Sequence, residues 1–194
     1  MASVQPVRAL HTPIEVAVKR LSVNRMKVEG SVVVDQPVDR VWQVLTDYDH
    51  LAQFIPWLLE SRTLAVGPPR LLRQRGHMRW WVFGQTIEMT FQVTEHPKQV
   101  IAFTAVEGDF FEHQGTWRLE PHGTQVRIAY EAVVRPKFFL PPFIGASLLK
   151  RHLADSLQAI VERVDAAKAA MASTRPWHTR VRKARSSVSM ASVG

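Results

Sequence analysis

LPPFIGASLLKRHLADSLQAIVERVDAAKAAM, residues 140–171, decides the fold. Past Gly145 it holds no proline or glycine, and Ala146, Leu149, Leu153, Leu157, Ile160 and Val164 recur at spacings of three and four. Residues spaced in this way share one face of an α-helix. Lys150, Arg151, Asp155, Gln158, Glu162 and Arg163 take the other sides. Such a helix is held by burying its apolar stripe, so it needs an apolar partner of matching length.

Upstream, the period changes from four to two, so the partner is a sheet. Met26 to Val34 reads as a first strand, ending in the β-branched run Val32-Val33-Val34. Asp35-Gln36-Pro37 is a helix start, with a capping side chain and a proline in the first turn. Val38, Val41, Trp42 and Leu45 give that short helix an apolar stripe as far as Asp47. Asp49 caps a second short helix carrying Leu51, Phe54 and Ile55, which Pro56 ends. Six further strands follow: about 58–66, 70–83, 86–93, 100–106, 112–119 and 125–134. On the cleanest of them Ile87, Met89, Phe91 and Val93 alternate with Thr86, Glu88, Thr90 and Gln92. The expected turns are Gly67-Pro68-Pro69, Gly84-Gln85, His96-Pro97-Lys98, Glu107-Gly108-Asp109 and Pro121-His122-Gly123. All are of hairpin length, so the meander is antiparallel. The expectation is an α+β fold: a curved seven-stranded antiparallel sheet wrapped on a long C-terminal helix, with two short helices after the first strand.

The chain has no cysteine, which excludes disulfides, thiolate metal sites and cysteine nucleophiles. Its net charge of +8 is unevenly spread. Residues 1–27 carry +4, residues 173–194 carry +5, and residues 28–172 carry −1. The part expected to fold is near neutral, and the basicity sits in the ends. These are read as a loose arm, 1–24, and a basic disordered tail, 173–194, flanking one domain at 25–172. Basic ends are commonly solvated; they can also meet an anionic membrane or RNA. No apolar run is long enough to cross a bilayer, and the first thirty or so residues lack the apolar segment of a secretory signal. The expected location is cytoplasmic, with peripheral membrane contact open. Residues 1–14, with Arg8 and no acid, leave organellar targeting open as well.

Pro37-Val-Asp-Arg-Val-Trp-Gln-Val-Leu-Thr-Asp-Tyr48, followed by Phe54-Ile55-Pro56-Trp57, resembles the START-like helix-grip (SRPBCC) superfamily. Within it the sequence is most similar to the polyketide cyclase/dehydrase and coenzyme Q-binding (Coq10-like) branch. Val106-Glu107-Gly108-Asp109-Phe110 and Gly115-Thr-Trp-Arg-Leu-Glu-Pro121 extend the similarity, which covers roughly residues 28–168. It implies a hydrophobic ligand between sheet and helix, such as a quinone, sterol, lipid or polyketide. It also admits cyclase activity, and some bacterial relatives are ribosome-associated.

The inward-facing candidates for a ligand wall are Trp80, Met89, Phe91, Phe103, Trp117 and Tyr130 on strands, and Leu149, Leu153 and Leu157 on the helix. Any one of them alone would be ordinary core. Gly76 and Gly115 inside strands suggest bends or close backbone approaches, and a strongly curved sheet is not filled by one helix stripe. A cavity of ~300–1,000 Å³ is therefore expected. A cyclase would need a placed base and donors inside that cavity, and the apolar-side positions offer His113 and Tyr130 as catalytic candidates. The eight histidines show no metal-ligand spacing, so no metal is expected, and no cofactor beyond a bound quinone or lipid. Phe138, Phe139 and Phe143, flanked by Arg135, Lys137, Lys150 and Arg151, are candidates for membrane contact or for stapling the helix entrance. Arg175 to Arg185, with Trp177 among the bases, would suit RNA phosphates and a stacked base. Three readings thus stand: a carrier or chaperone for a hydrophobic molecule, an aromatase/cyclase, and an RNA- or ribosome-associated module. The oligomeric state is not legible.

Overall fold

The computed structural model describes residues 13–80 and 83–173; for residues 79, 80, 83, 142, 143 and 167–173 only the backbone is described. The strands are β1 (Glu15–Ser22), β2 (Arg25–Val34), β3 (Leu58–Ala65), β4 (Arg70–Trp80), β5 (Phe83–His96), β6 (Val100–Gly108), β7 (Phe110–His122) and β8 (Gln125–Pro136). Helix α1 (Val38–Thr46) and a 3₁₀ turn (Tyr48–Gln53) separate β2 from β3, and helix α2 (Pro142–Ser173) follows β8. All eight strands form one antiparallel sheet in the order β1-β2-β8-β7-β6-β5-β4-β3. The meander β3 to β8 was legible as a run of hairpins. The pairing of β2 with β8, Val28 opposite Ala132 and Val32 opposite Ile128, joins the two ends of the domain.

The α+β helix-grip architecture stands, with eight strands in place of seven. The extra strand comes from residues assigned to the loose arm. Ile14, Val16 and Val18 alternate with Glu15, Ala17 and Lys19, and the first three pack on the core while β1 pairs with β2. That two-residue period was present in the sequence, but too short and too charged at Lys19-Arg20 to stand out. The two short helices consequently follow the second strand, and the second is a 3₁₀ turn. The expected cap at Asp35 is not made: Pro37 occupies the N-cap position without a side-chain hydrogen bond. Asp49 instead accepts the backbone N–H of Thr63 at 2.6 Å, tying the 3₁₀ turn to β3. The turn expected at Gly84-Gln85 is strand, because Gly84 pairs with Arg79 and Phe83 with Trp80. The tail 174–194 and residues 1–12 lie outside the described residues.

The inward face of the sheet carries the alternating apolar set: Val28, Val32 and Val34 on β2, Ile87, Met89, Phe91 and Val93 on β5, and Val126, Ile128, Ala132 and Val134 on β8, all buried. Arg73, Arg75, Arg118 and Glu131 have the opposite parity and are exposed. On α2, Leu157, Ile160, Val161 and Val164 are almost fully buried. The helix touches β1, β2 and α1, and only lightly β4, so it lies toward one side of the sheet.

Candidate ligand-binding site

Because α2 leans toward β1 and β2, the inner surface formed by β4 to β8 is not fully covered. A cavity of about 190 Å³ remains there. This is smaller than the expected range, since seven aromatic rings, those of Tyr48, Trp57, Phe91, Phe103, Phe110, Trp117 and Tyr130, line its walls. Met89, Phe91, Phe103, Trp117 and Tyr130 line it from the sheet, and Leu149 and Leu153 from the helix. Leu157 does not. It is fully buried against β2, where a Cβ on Gly30 would come within 3.2 Å of its Cδ1. The side chains of Trp80 and Phe143 lie outside those described. Phe138 packs on Phe110 with ring centroids 6.2 Å apart, beside the cavity rather than in it, and Phe139 is 75% exposed.

The aromatic wall is a connected set. The Phe103 ring stacks on Tyr130 at 5.9 Å and meets Phe91 edge-on at 5.5 Å. Trp117 leans on Tyr130 at 4.5 Å. His113 sits edge-on to both Phe91 and Phe103, at 5.1 and 5.7 Å. Its Nδ1 lies 3.3 Å from Met89 Sδ. A thioether only accepts, so Nδ1 carries the proton and Nε2 is left an acceptor. Burial in this apolar setting lowers the His113 pKa to about 4, so the ring is neutral at pH 7. The same burial raises the Tyr130 pKa, which keeps the phenol protonated. Among the described residues the Tyr130 hydroxyl has no hydrogen-bond partner, so it remains available to one inside the cavity. His113 and Tyr130 share the cavity, with the Phe103 ring against both.

A second polar cluster was not anticipated. Trp57 reaches from the loop before β3 to α2, and its Nε1 donates to Ser156 Oγ at 2.8 Å. Ser156 Oγ in turn donates to the His152 carbonyl at 2.7 Å. The His152 ring stacks parallel to the indole, centroids 5.8 Å apart. Burial lowers His152 to about 4; Asp155 opposes the shift and Arg151 adds to it. Trp57 can lie this close to β4 because Gly76 is beneath it: a Cβ there would be 2.6 Å from the indole. The close approach suggested by Gly76 is thus to an aromatic wall. That suggested by Gly115 is to the neighbouring strand, with a Cβ only 2.2 Å from the Glu131 carbonyl oxygen. His152 and Ser156 were hidden among polar neighbours. Their spacing from Leu149 and Ile160, at three, seven and eleven residues along one arc, was the signal that could have found them.

The cavity's polar groups are therefore neutral: Gln74, Tyr48, Tyr130, Trp57, Trp117, Ser156 and two histidines. No Asp, Glu, Lys or Arg is among the described residues that line it. Tyr48 already donates to Glu95 at 2.9 Å. Among the described residues no group of His, Asp or Glu is placed to hold a metal ion, and no helix is long and apolar enough to cross a membrane.

The fold recurs in solved structures. An aromatase/cyclase from Streptomyces sp. R1128 is 23% identical with a TM-score of 0.59, the match covering 73% of this chain and 94% of that one. A START superfamily protein from Mycobacterium smegmatis is 19% identical, with a TM-score of 0.65 and coverage of 73% and 98%. A STAR-related lipid transfer protein from Xanthomonas axonopodis is 18% identical, with a TM-score of 0.65 and coverage of 78% and 93%. At these identities the likeness is one of fold. Among curated protein sequences none matches the chain. The family model described as polyketide cyclase / dehydrase and lipid transport matches residues 34–161, which run from the end of β2 through the cavity-facing part of α2. With that model spanning most of the domain, and with an antiparallel sheet and a gripped helix around an apolar cavity, the chain belongs to the polyketide cyclase/dehydrase and lipid transport family.

Proposed function

We propose that this protein binds an uncharged hydrophobic molecule, quinone, lipid or polyketide-like, in the cavity between sheet and α2, as a carrier or chaperone. The observation that carries this reading is the lining: aromatic and aliphatic walls with only neutral polar groups. A charged ligand would lose its hydration there without gaining a counter-charge, at a cost of several kcal/mol. An apolar one gains about 25 cal/mol per Å² buried, so a few hundred Å² outweigh part of the entropy of capture without catalysis. The volume admits a compact ligand, or the end of a longer one. Tyr130 and His113 Nε2 supply a donor and an acceptor for a carbonyl or hydroxyl on it.

The family description and the presence of His113 and Tyr130 in one cavity support a second reading, an aromatase/cyclase. It is the weaker of the two. A general base works best with a pKa near the working pH, and His113 at about 4 is a poor proton acceptor at pH 7.

Native mass spectrometry of the purified protein, followed by organic extraction, tests the first reading. The expected result is a bound neutral molecule or saturable uptake from a panel of quinones and lipids. A protein that is always empty and takes up none of the panel refutes it. On the cyclase reading Tyr130→Phe loses turnover while keeping ligand affinity, and unchanged turnover removes Tyr130 from that role.

A further inference from the structure

The end of the sheet where β1 and β8 stop and β2 and β7 start exposes large apolar side chains: Val23 at 72%, Phe111 at 66% and Phe139 at 75%. They lie on three different segments that the structure fastens together. Asn24, in the β1–β2 turn with φ of 57°, donates from Nδ2 to the carbonyls of Pro136 at 3.0 Å and Phe138 at 2.9 Å. Its Oδ1 accepts the Leu140 N–H at 3.4 Å. One side chain thus clamps the connector between β8 and α2 from both sides of Phe139. The start of α2 is pressed on the same connector, since a Cβ on Gly145 would lie 2.9 Å from Leu140 Cδ2 and 2.8 Å from Met26 Cε. The Phe110 ring against Phe138 fixes the start of β7, and the Arg135 guanidinium lies over the Phe111 ring, 5.2 Å from its centroid. Phe139 is therefore held outward by a fixed loop.

The charge around these side chains has a sign. Arg20, Arg135 and Lys137 are exposed there. Of the acids at the same rim, Glu112 is paired with Arg25 at 2.7 Å, while Asp109 Oδ2 accepts the Glu88 N–H at 2.8 Å and keeps its charge. Exposed aromatic and aliphatic tips beside exposed bases match the chemistry of an anionic bilayer. The tips enter the acyl boundary while the bases meet lipid phosphates.

We infer that this rim, with Val23, Phe111 and Phe139 as inserting side chains and Arg20, Arg135 and Lys137 around them, docks the protein on anionic membrane surfaces. The inference stands apart from the ligand reading, because it needs only the outer surface. Its occupant also suits that reading: Phe110, which lines the cavity, touches the docked connector through Phe138.

The test is flotation of the full chain with vesicles of phosphatidylcholine alone and of phosphatidylcholine with about 30% phosphatidylglycerol. Binding is expected only to the anionic vesicles. The Phe111→Ser/Phe139→Ser variant should lower partition about tenfold or more. Arg135→Glu/Lys137→Glu should lower it similarly and flatten its salt dependence. All four side chains are exposed, so a circular dichroism melt should be unchanged and confirm that the fold survives. Undiminished partition of both variants overturns the inference and assigns any binding to the basic termini. Equal binding to neutral vesicles, or to none, overturns it as well. Ligand uptake measured in detergent-free solution is read separately, so failure of one proposal is distinguishable from failure of the other.

Discussion

Two neighbouring arcs of α2 look alike in sequence and do different things. Leu157, Val161 and Val164 form one, 0 to 2% exposed and outside the cavity lining, with Leu157 beside Gly30 of β2 and Leu153 of the next arc closer still to that glycine. Leu149, His152, Leu153, Ser156 and Ile160 form the other, roughly a quarter turn round the helix and facing the cavity. The difference teaches how a gripped helix serves two ends at once. Leaning onto β1 and β2 completes a core on one side, and the same lean holds the helix off β4 to β8 on the other. Core and cavity are divided around the helix axis as well as along it.

The sharpest way to break that comparison is a pair of truncations. Leu157→Ala should cost about 2–5 kcal/mol in denaturant unfolding, because it opens a void in close-packed surroundings. Leu149→Ala borders space already empty and should cost well under that, while altering ligand uptake. Equal losses of stability would mean that the two arcs are both core.

The histidines extend the comparison to protons. Folded His113 and His152 are lowered to about 4 from 6.5, so the unfolded chain takes up their protons first as pH falls. Their contribution to stability is complete above pH 6.5 and is lost on descending to about 4. For His113 the loss should be on the order of 3 kcal/mol, and less for His152, which is nearer solvent. His113→Phe should flatten the slope of stability against pH in that window. An unchanged slope would show that His113 is solvated, and that the aromatic wall around it is open.

Smaller effects are expected at the wall shared by both regions. Gly76→Ala places a Cβ against the indole of Trp57 and should cost about 1–3 kcal/mol through displacement of the ring. Trp57→Phe leaves Ser156 Oγ without its donor and should cost about 1 kcal/mol. If Trp57 walls the cavity, both variants should change the intrinsic fluorescence response to ligand; an unaltered response with retained uptake would remove Trp57 from the site.

Much of the architecture is legible in the sequence. The period-two runs of β5 and β8, the proline and glycine punctuation and the stripe on α2 are local patterns, and backbone geometry turns such patterns into faces. The sheet's inner parity was therefore correct at Leu72, Met89, Phe91, Trp117 and Tyr130. Edge strand β1 escaped because a solvent-facing edge needs few apolar residues, and Lys19-Arg20 masked its short alternation. Trp57, His152 and Ser156 escaped for a different reason. Their roles come from meeting across 99 residues of chain, and neither end announces the other.

The sequence by itself determined the elements, their order, the hairpin topology and which face of each strand is apolar, since each depends on spacing over a few residues. Only the tertiary structure decided that β1 joins the sheet and that Leu157 is core while Leu149 and His152 face a cavity. It alone decided that Asn24 clamps the connector bearing Phe139. These depend on how closely surfaces distant in the chain approach one another, and the lean of the helix separates a filled core from an open cavity.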